Sequence, residues 1–480
     1  MTPLAIILTI VGYVAMLFVV AWRSSRRADN ATFFTGGRNT HRVVAAIAMV
    51  GAAMSGVTYI SVPGTVLTDN FSYLQTCLGF IVGYAVIAYV LVPLYYKLGV
   101  VSLYKYLDRR FGIVAHRTGA WLFFVAKTLS ASLRAYVICV VLQSTLFDHY
   151  HIPFAVNAAL MMSLVWLYTR RGGVKSVVWV EMLKTLIMVG SLVAAIVVIS
   201  SAMGLDVGGS VAYIADSDLS RVFFFDNPIE GRYFWKQFFA GIFLVVAMTG
   251  LDQDMMQTVL SCRNRRDAER SMMTSVLIQV GVILLFLALG VLLYGFAGSH
   301  DIVASGDKLF GHVATEAGLP IVVGVLFLLG LVASTYSSAG SALTALTTSF
   351  TLDILRSSRE GDDTRLERTR KRVHGSIALV MMAVIIVFEA YSSSGVITLI
   401  FTMASYTYGP LLGLFAFGIL TRRSVHSAAI PFIAIASPAI CYLVSTNSAA
   451  WLGGYQFSYE LIILNGALTM LGLWACSCKK

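Results

Sequence analysis

Apolar runs of membrane-spanning length follow one another along almost the whole 480-residue chain, and nothing else in the sequence narrows its fold as much. A helix needs roughly 20 apolar residues to cross the hydrocarbon core. Candidate spans lie near 3–22, 43–62, 73–99, 118–145, 153–168, 174–202, 233–258, 272–298, 319–350, 374–391, 395–420, 425–445 and 458–476. Lipid offers no water to unpaired peptide groups, so consecutive spans of this kind are helices. Charged residues make up 12% of the chain, against about 25% in an ordinary soluble domain. Too little polar sequence remains between runs for a second, water-facing core. The expectation is an all-α membrane protein with about 13 transmembrane helices, forming a single transmembrane domain over 1–480.

A net charge of +11 raises the question of a nucleic-acid partner, and the placement of the charge answers it. Of 35 Lys and Arg, 27 fall in alternate loops: 23–42, 100–117, 169–173 with Lys175 beside it, 259–271, 351–373, 421–424 and the tail. The opposite loops hold only Arg221, Arg232 and Lys308. Basic loops stay cytoplasmic. The asymmetry places the N-terminus outside and, after thirteen crossings, the C-terminus in the cytoplasm, in a cell membrane expected to be a bacterial inner membrane. The basic balance reports topology and implies no nucleic acid. The first run has no basic n-region and is followed by Arg23, Arg26 and Arg27, so it reads as an uncleaved helix rather than a signal peptide. Cys77, Cys139 and Cys441 lie in apolar spans and Cys262, Cys476 and Cys478 on the cytoplasmic side, where thiols stay reduced. No disulfide framework is expected.

Several spans carry polar or small residues that lipid alone would not favour. The second reads Ala45-Ala46-Ile47-Ala48-Met49-Val50-Gly51-Ala52-Ala53-Met54-Ser55-Gly56. Such a run can unwind and free carbonyls at membrane depth, or it can form a small-residue packing seam. The ninth span carries Ser334, Ser337, Ser338, Ser341, Thr344, Thr347 and Thr348. Their spacings of three and four place most on one helical face. Either they line an ion path, since hard cations take oxygen ligands, or they bond back to their own helix and serve packing.

Charges inside spans mark function by default. Lys127 and Arg134 are seven apart on one face of the fourth span. A guanidinium there suits a carboxylate, or forms a structural pair with an acid. Glu181 and Lys184 can pair on the sixth span, or Glu181 can face a cation. Gln75 can donate to a solute or sit as an interfacial amide. Asp252, Gln253 and Asp254 can cap helices or close an inner gate, and Gly172-Gly173 fits a tight turn. No nucleophile–His arrangement, Walker A, zinc or dinucleotide motif occurs. The chain is expected not to be an enzyme.

Four stretches carry a resemblance to the sodium:solute symporters. Phe33-Phe34-Thr35-Gly36-Gly37-Arg38 resembles that family's FF-x-(A/G)-GR, and Tyr168-Thr169-Arg170-Arg171-Gly172-Gly173-Val174-Lys175-Ser176 resembles its signature before the sixth helix. Asp252-Gln253 with Gln257 and Leu260 resembles DQ-x-x-x-Q-x-x-L, and Ser337-Ser338 with Asp353-Ile354 resembles its ninth-helix pattern. The resemblance implies a leucine-transporter-type fold of two inverted five-helix repeats, at 43–202 and 233–420, with 1–42 and 421–480 peripheral. It implies Na+ as coupling ion, held by the carbonyls of Gly51 and Met54 with Ser334, Ser337 and Ser338. A second sodium would use Glu181, where the family has Asp, and Ser341. Val245, Met248 and Thr249 stand where sugar-carrying members use Asn and aromatics. Ser55, Thr58, Gln75 and Arg134 match the sialic acid subgroup's substrate residues. The implied function is sodium-coupled import, by alternating access, of a small carboxylate-bearing solute such as sialic acid. The alternatives are a monocarboxylate or sugar symporter, an ion channel, or a transporter-like membrane sensor. The tail ends at Cys478-Lys479-Lys480 without a signalling domain, which weighs against the sensor.

Overall fold

The computed structural model describes residues 3–25, 30–99, 102–300, 302, 306–316, 318–355, 363–391 and 396–478. Arg26, Arg27, Arg356, Arg359, Lys479 and Lys480 of the basic loops lie outside these residues.

Helices account for almost all described structure, as peptide groups in lipid require. They are α1 (Pro3–Ser25), α2 (Arg42–Ala53), α3 (Gly56–Gly64), α4 (Tyr73–Leu98), α5 (Ile113–Leu142), α6 (Phe154–Ala202) and α7 (Phe234–Gly250). Then come α8 (Gln253–Leu260), α9 (Arg265–Ser299), α10 (Ile321–Ser349), α11 (Asp363–Tyr391), α12 (Val396–Leu420), α13 (Ala429–Thr446) and α14 (Leu461–Ala475). Among the described residues nine helices are long and apolar enough to cross a membrane, and the bent pairs α2–α3 and α7–α8 bring the number to eleven. The other two expected crossings are the part of α6 before Gly173 and the 15-residue α14.

The second expected span is therefore two helices, bent by 60°. Gly51 and Gly56 flank the break, and glycine in a helix interior is less favourable than alanine. Met54 (ψ 135°) and Ser55 (ψ 178°) are extended. The α7–α8 bend, 69°, follows a π-helical turn at Val246–Gly250, a local widening common at functional sites. Both bends face the middle of the bundle. There α6 lies along α10 and against α2, while α4 packs on α7.

Gly173 (φ 51°) breaks α6 in two. A Cβ there would stand 2.5 Å from the Phe33 carbonyl, so no other residue fits. Two of the recognisable stretches, 33–38 and 168–176, meet at this place. Phe33 lies under Gly173, Gly36 lies against Val174 and Ser261, and Arg370 caps the Phe33 ring at 4.0 Å. Large apolar side chains such as Leu8, Leu186 and Leu277 point outward, as a lipid-facing belt does.

Candidate functional site

An unbroken helix would bond the Gly51 carbonyl to the amide four residues on. Here the Ser55 amide turns instead to Thr58 Oγ1 at 3.4 Å. Gly51 lacks a side chain where a Cβ would stand 2.6 Å from the Glu181 carbonyl, so α2 and α6 approach closely. The freed carbonyl is taken by Lys184 of α6. Its Nζ lies 2.5 Å from Gly51 O, 2.7 Å from Ser338 Oγ and 3.1 Å from Glu181 Oε2. An ammonium has three donors, and all three are used. Glu181 and Lys184 are completely buried.

The expectation that Gly51, Met54, Ser334, Ser337 and Ser338 face an open gap for an ion is thus revised. The oxygens of Gly51 and Ser338 do converge, but on a lysine. Ser334 Oγ turns back to Leu331 O at 2.9 Å. Ser337 lies beside Glu181, with its Oγ buried and in no hydrogen bond of good geometry. Most of the hydroxyl stripe follows the packing alternative: Thr344, Thr347 and Thr348 also bond to carbonyls four residues back. Ser338 does so too, yet its oxygen still accepts from Lys184.

A second cluster adjoins the first. Lys127 of α5 lies 2.6 Å from Asp254 Oδ2 and 3.2 Å from Asp252 Oδ2. Asp252 also caps α8, accepting from the Asp254 amide at 2.8 Å, and takes the Tyr408 hydroxyl at 2.6 Å. It is cap and ion-pair partner at once. Ser341 donates to Asp254 rather than standing free for a second sodium. A small void remains between these side chains, lined by Lys127, Arg134, Glu181, Asp254, Ser338 and Ser341.

Arg134 is different. Among the described residues it has no acidic partner, and its Nε is buried without a hydrogen bond. It lines a cavity together with Ser55, Thr58, Tyr73, Tyr84, Val245, Met248, Thr249 and Tyr408. Tyr73 also borders an outer depression formed by Thr65, Ser72, Arg232 and Ser458. The opposite end is tied shut. Ser102 and His116 hold Asp353 at 2.7 and 2.9 Å, Tyr104 reaches Leu251 O at 3.0 Å, and Gln253 accepts the Leu103 amide at 3.0 Å.

Three sequence expectations meet at this cavity: Ser55, Thr58 and Arg134. Gln75 does not. Its Nε2 donates to Arg232 O at 2.9 Å and its Oε1 accepts the Phe224 amide at 3.1 Å. Both ends of the amide are spent on the outer loop, so the role of solute donor is withdrawn. Tyr73, Tyr84 and Tyr408 were not anticipated, because an aromatic on an apolar helix carries no mark of the side it faces.

Comparison with known proteins gives this geometry a context. The family described as "Sodium:solute symporter family" matches residues 33–433. Sodium-coupled monocarboxylate transporter 1 of Xenopus laevis is 24% identical over 470 residues, covering 94% of this chain and 71% of that protein. The sodium/sialic acid symporter SiaT of Proteus mirabilis is 22% identical over 452 residues, covering 89% and 87%. The human sodium/iodide cotransporter is 26% identical over 410 residues, and the match covers 80% of this chain but only 60% of that longer protein. A solved Na+-coupled sialic acid symporter, in a substrate-bound outward-open state, superposes with a TM-score of 0.83 at 18% identity, covering 99% of both chains. A nucleobase-cation-symport-1 family transporter superposes with a TM-score of 0.59 at 13% identity, covering 92% and 93%. The expected leucine-transporter-type fold is the one the chain adopts. These relatives are sodium-coupled transporters rather than enzymes. With most of its length matched by the family and its signature stretches packed against one another, the chain belongs to the sodium:solute symporter family.

Proposed function

We propose that the protein imports a small organic acid through its carboxylate, together with sodium, by alternating access. The single observation that carries this reading is Arg134. It is a guanidinium in a cavity at the break of a membrane helix, without an acid of its own. A charge without a direct partner at such depth is costly, and a solute carboxylate supplies that partner in a planar fork. Ser55 and Thr58, across the cavity, offer hydroxyls to the rest of the solute.

Charge balance supports a companion cation. Lys127, Arg134 and Lys184 face Asp252, Asp254 and Glu181 around the two clusters. With all six ionised, the empty site is neutral. A carboxylate entering alone leaves one net negative charge, and one sodium restores neutrality. The carboxylates of Glu181 and Asp254 beside the small void are the donors that suit a hard cation, and the ion would supply the balancing charge there. A cation that favours one arrangement of the bundle shifts the population toward it.

The ties at Asp353 at one end and the depression beside Tyr73 at the other support an outward-facing arrangement, with the proposed N-terminus outside and C-terminus in the cytoplasm. The two bent pairs, one near the start of 43–202 and one in 233–420, support assigning those segments as the inverted repeats. Sialic acid and short monocarboxylates both carry the group that Arg134 recognises. Uptake of labelled sialic acid into proteoliposomes, with and without a sodium gradient and with short acids as competitors, separates them. Uptake of neither acid under a sodium gradient would end the proposal.

A further inference from the structure

Two ingredients of a monovalent-cation site are assembled at the joint of α2, α6 and α10. One is a helix carbonyl, Gly51 O, released by the break. The other is a hydroxyl, Ser338 Oγ, whose proton is committed to its own helix at 2.9 Å and whose lone pair is free. A carboxylate, Glu181, completes the set. What stands among them is a positive charge of the chain itself. Lys184 Nζ reaches all three oxygens at 2.5, 2.7 and 3.1 Å and is fully buried.

We propose that the Lys184 ammonium is the permanent cation of this joint, standing in the place of a sodium ion, so that the joint itself takes no sodium. The reasons are geometric and electrostatic. The three donors of the ammonium are matched by three acceptors, so Gly51 O, Ser338 Oγ and Glu181 Oε2 are already taken. A sodium ion at the same oxygens would put two like charges in contact in a medium that screens them poorly. The amine also needs no capture from solution, because the α6 backbone holds it in reach. Nor can it leave. An ion that dissociates on the inner side would unfasten α2 from α6 and α10, whereas a tethered ammonium keeps them fastened through the cycle. Any sodium that accompanies the solute therefore acts elsewhere. The inference is independent of the solute, since it involves none of the solute-facing side chains.

Binding of radioactive sodium to purified protein in nanodiscs tests it. Lys184→Ala removes the ammonium and leaves Gly51 O, Ser338 Oγ and the Glu181 carboxylate around the space. The variant is expected to bind one more sodium per chain than the unaltered protein, and Ser338→Ala added to it is expected to weaken that extra binding at least tenfold. Equal sodium binding by Lys184→Ala and the unaltered protein overturns the proposal. Absence of sodium binding to the unaltered protein would count against the coupled-uptake reading and leave this difference measurable. Should Lys184→Ala fail to fold, a cryo-EM map of the unaltered protein in sodium chloride decides. Continuous density from Lys184 to Gly51 O, with no separate peak among the three oxygens, is expected. A separate peak there with Lys184 turned away overturns it.

Discussion

Lys127 Nζ lies 2.6 Å from Asp254 Oδ2, across the boundary between α5 and α8. The same ammonium reaches Asp252 at 3.2 Å, so one base answers two carboxylates at the bend after α7. Removing one member of a buried pair strands the other charge and costs about 3–5 kcal/mol. Lys127→Met is expected to lower thermal stability in detergent by a comparable amount. Lys127→Met with Asp254→Asn is expected to regain a good part of it, and a double-mutant cycle measures the coupling.

Among the described residues Arg134 has no acidic partner, and its Nε is buried without a hydrogen bond at the cavity proposed to take the solute. A hydrogen bond to a charged partner contributes about 1.5–3 kcal/mol, so Arg134→Ala should weaken carboxylate uptake roughly 10- to 100-fold. An amide analogue of the acid should lose far less. Equal loss for acid and amide in transport assays would show that Arg134 supports the bundle instead.

Gly173 holds a positive φ of 51° against the Phe33 carbonyl. A side chain there meets backbone strain of about 1–3 kcal/mol in addition to the collision. Gly173→Ala should reduce folded yield and thermal stability without altering solute selectivity. Size-exclusion profiles and competition assays read the two effects separately.

Burial pushes the Cys262 thiol up to about 11, so it is almost wholly protonated at neutral pH. The thiolate is the reactive form. Maleimide at pH 7 should therefore label exposed Cys476 and Cys478 and spare Cys262. Raising the pH through about 11 should bring Cys262 into reaction, provided the fold persists. The proposed cytoplasmic C-terminus predicts that a membrane-impermeant maleimide labels Cys476 and Cys478 only from the inner side, as mass spectrometry of the labelled peptides would show.

A neutral empty site and a neutral loaded site move no net charge. Each uncompensated charge would feel about 2.3 kcal/mol per 100 mV. Uptake in proteoliposomes should thus keep the same initial rate whether or not a potassium diffusion potential is imposed. Marked acceleration by an inside-negative potential would mean that more than one sodium enters with each acid.

The helices were legible because lipid permits so few alternatives to them. Length and hydropathy alone located the spans. The break at Met54–Ser55 was foreshadowed by the run of small residues, and Ser55, Thr58 and Arg134, which the sequence groups together, line one cavity. Where the sequence fell short, the missing information was three-dimensional. Glu181 and Lys184 read as a pair because they are three apart, but nothing in that spacing says how far Nζ reaches beyond its own helix. It crosses to Gly51 on α2 and Ser338 on α10. Gln75 has the look of a solute ligand in sequence, and only the path of the outer loop shows that Phe224 and Arg232 use both ends of its amide. The serines and threonines of α10 share a face, yet whether each hydroxyl turns inward or outward is settled by a rotamer that no pattern records.

Phe33, Gly36, Gly173, Val174 and Ser261 pack into one knot away from the solute cavity. Phe33, Gly36 and Gly173 belong to the stretches by which a chain of this kind is recognised, and they describe a clasp, not a cargo. Two carriers can keep every one of them while exchanging one freight for another. Kinship announced by this knot tells how the machine is fastened, and in the function proposed here the choice of passenger is written separately, in the few side chains that ring Arg134.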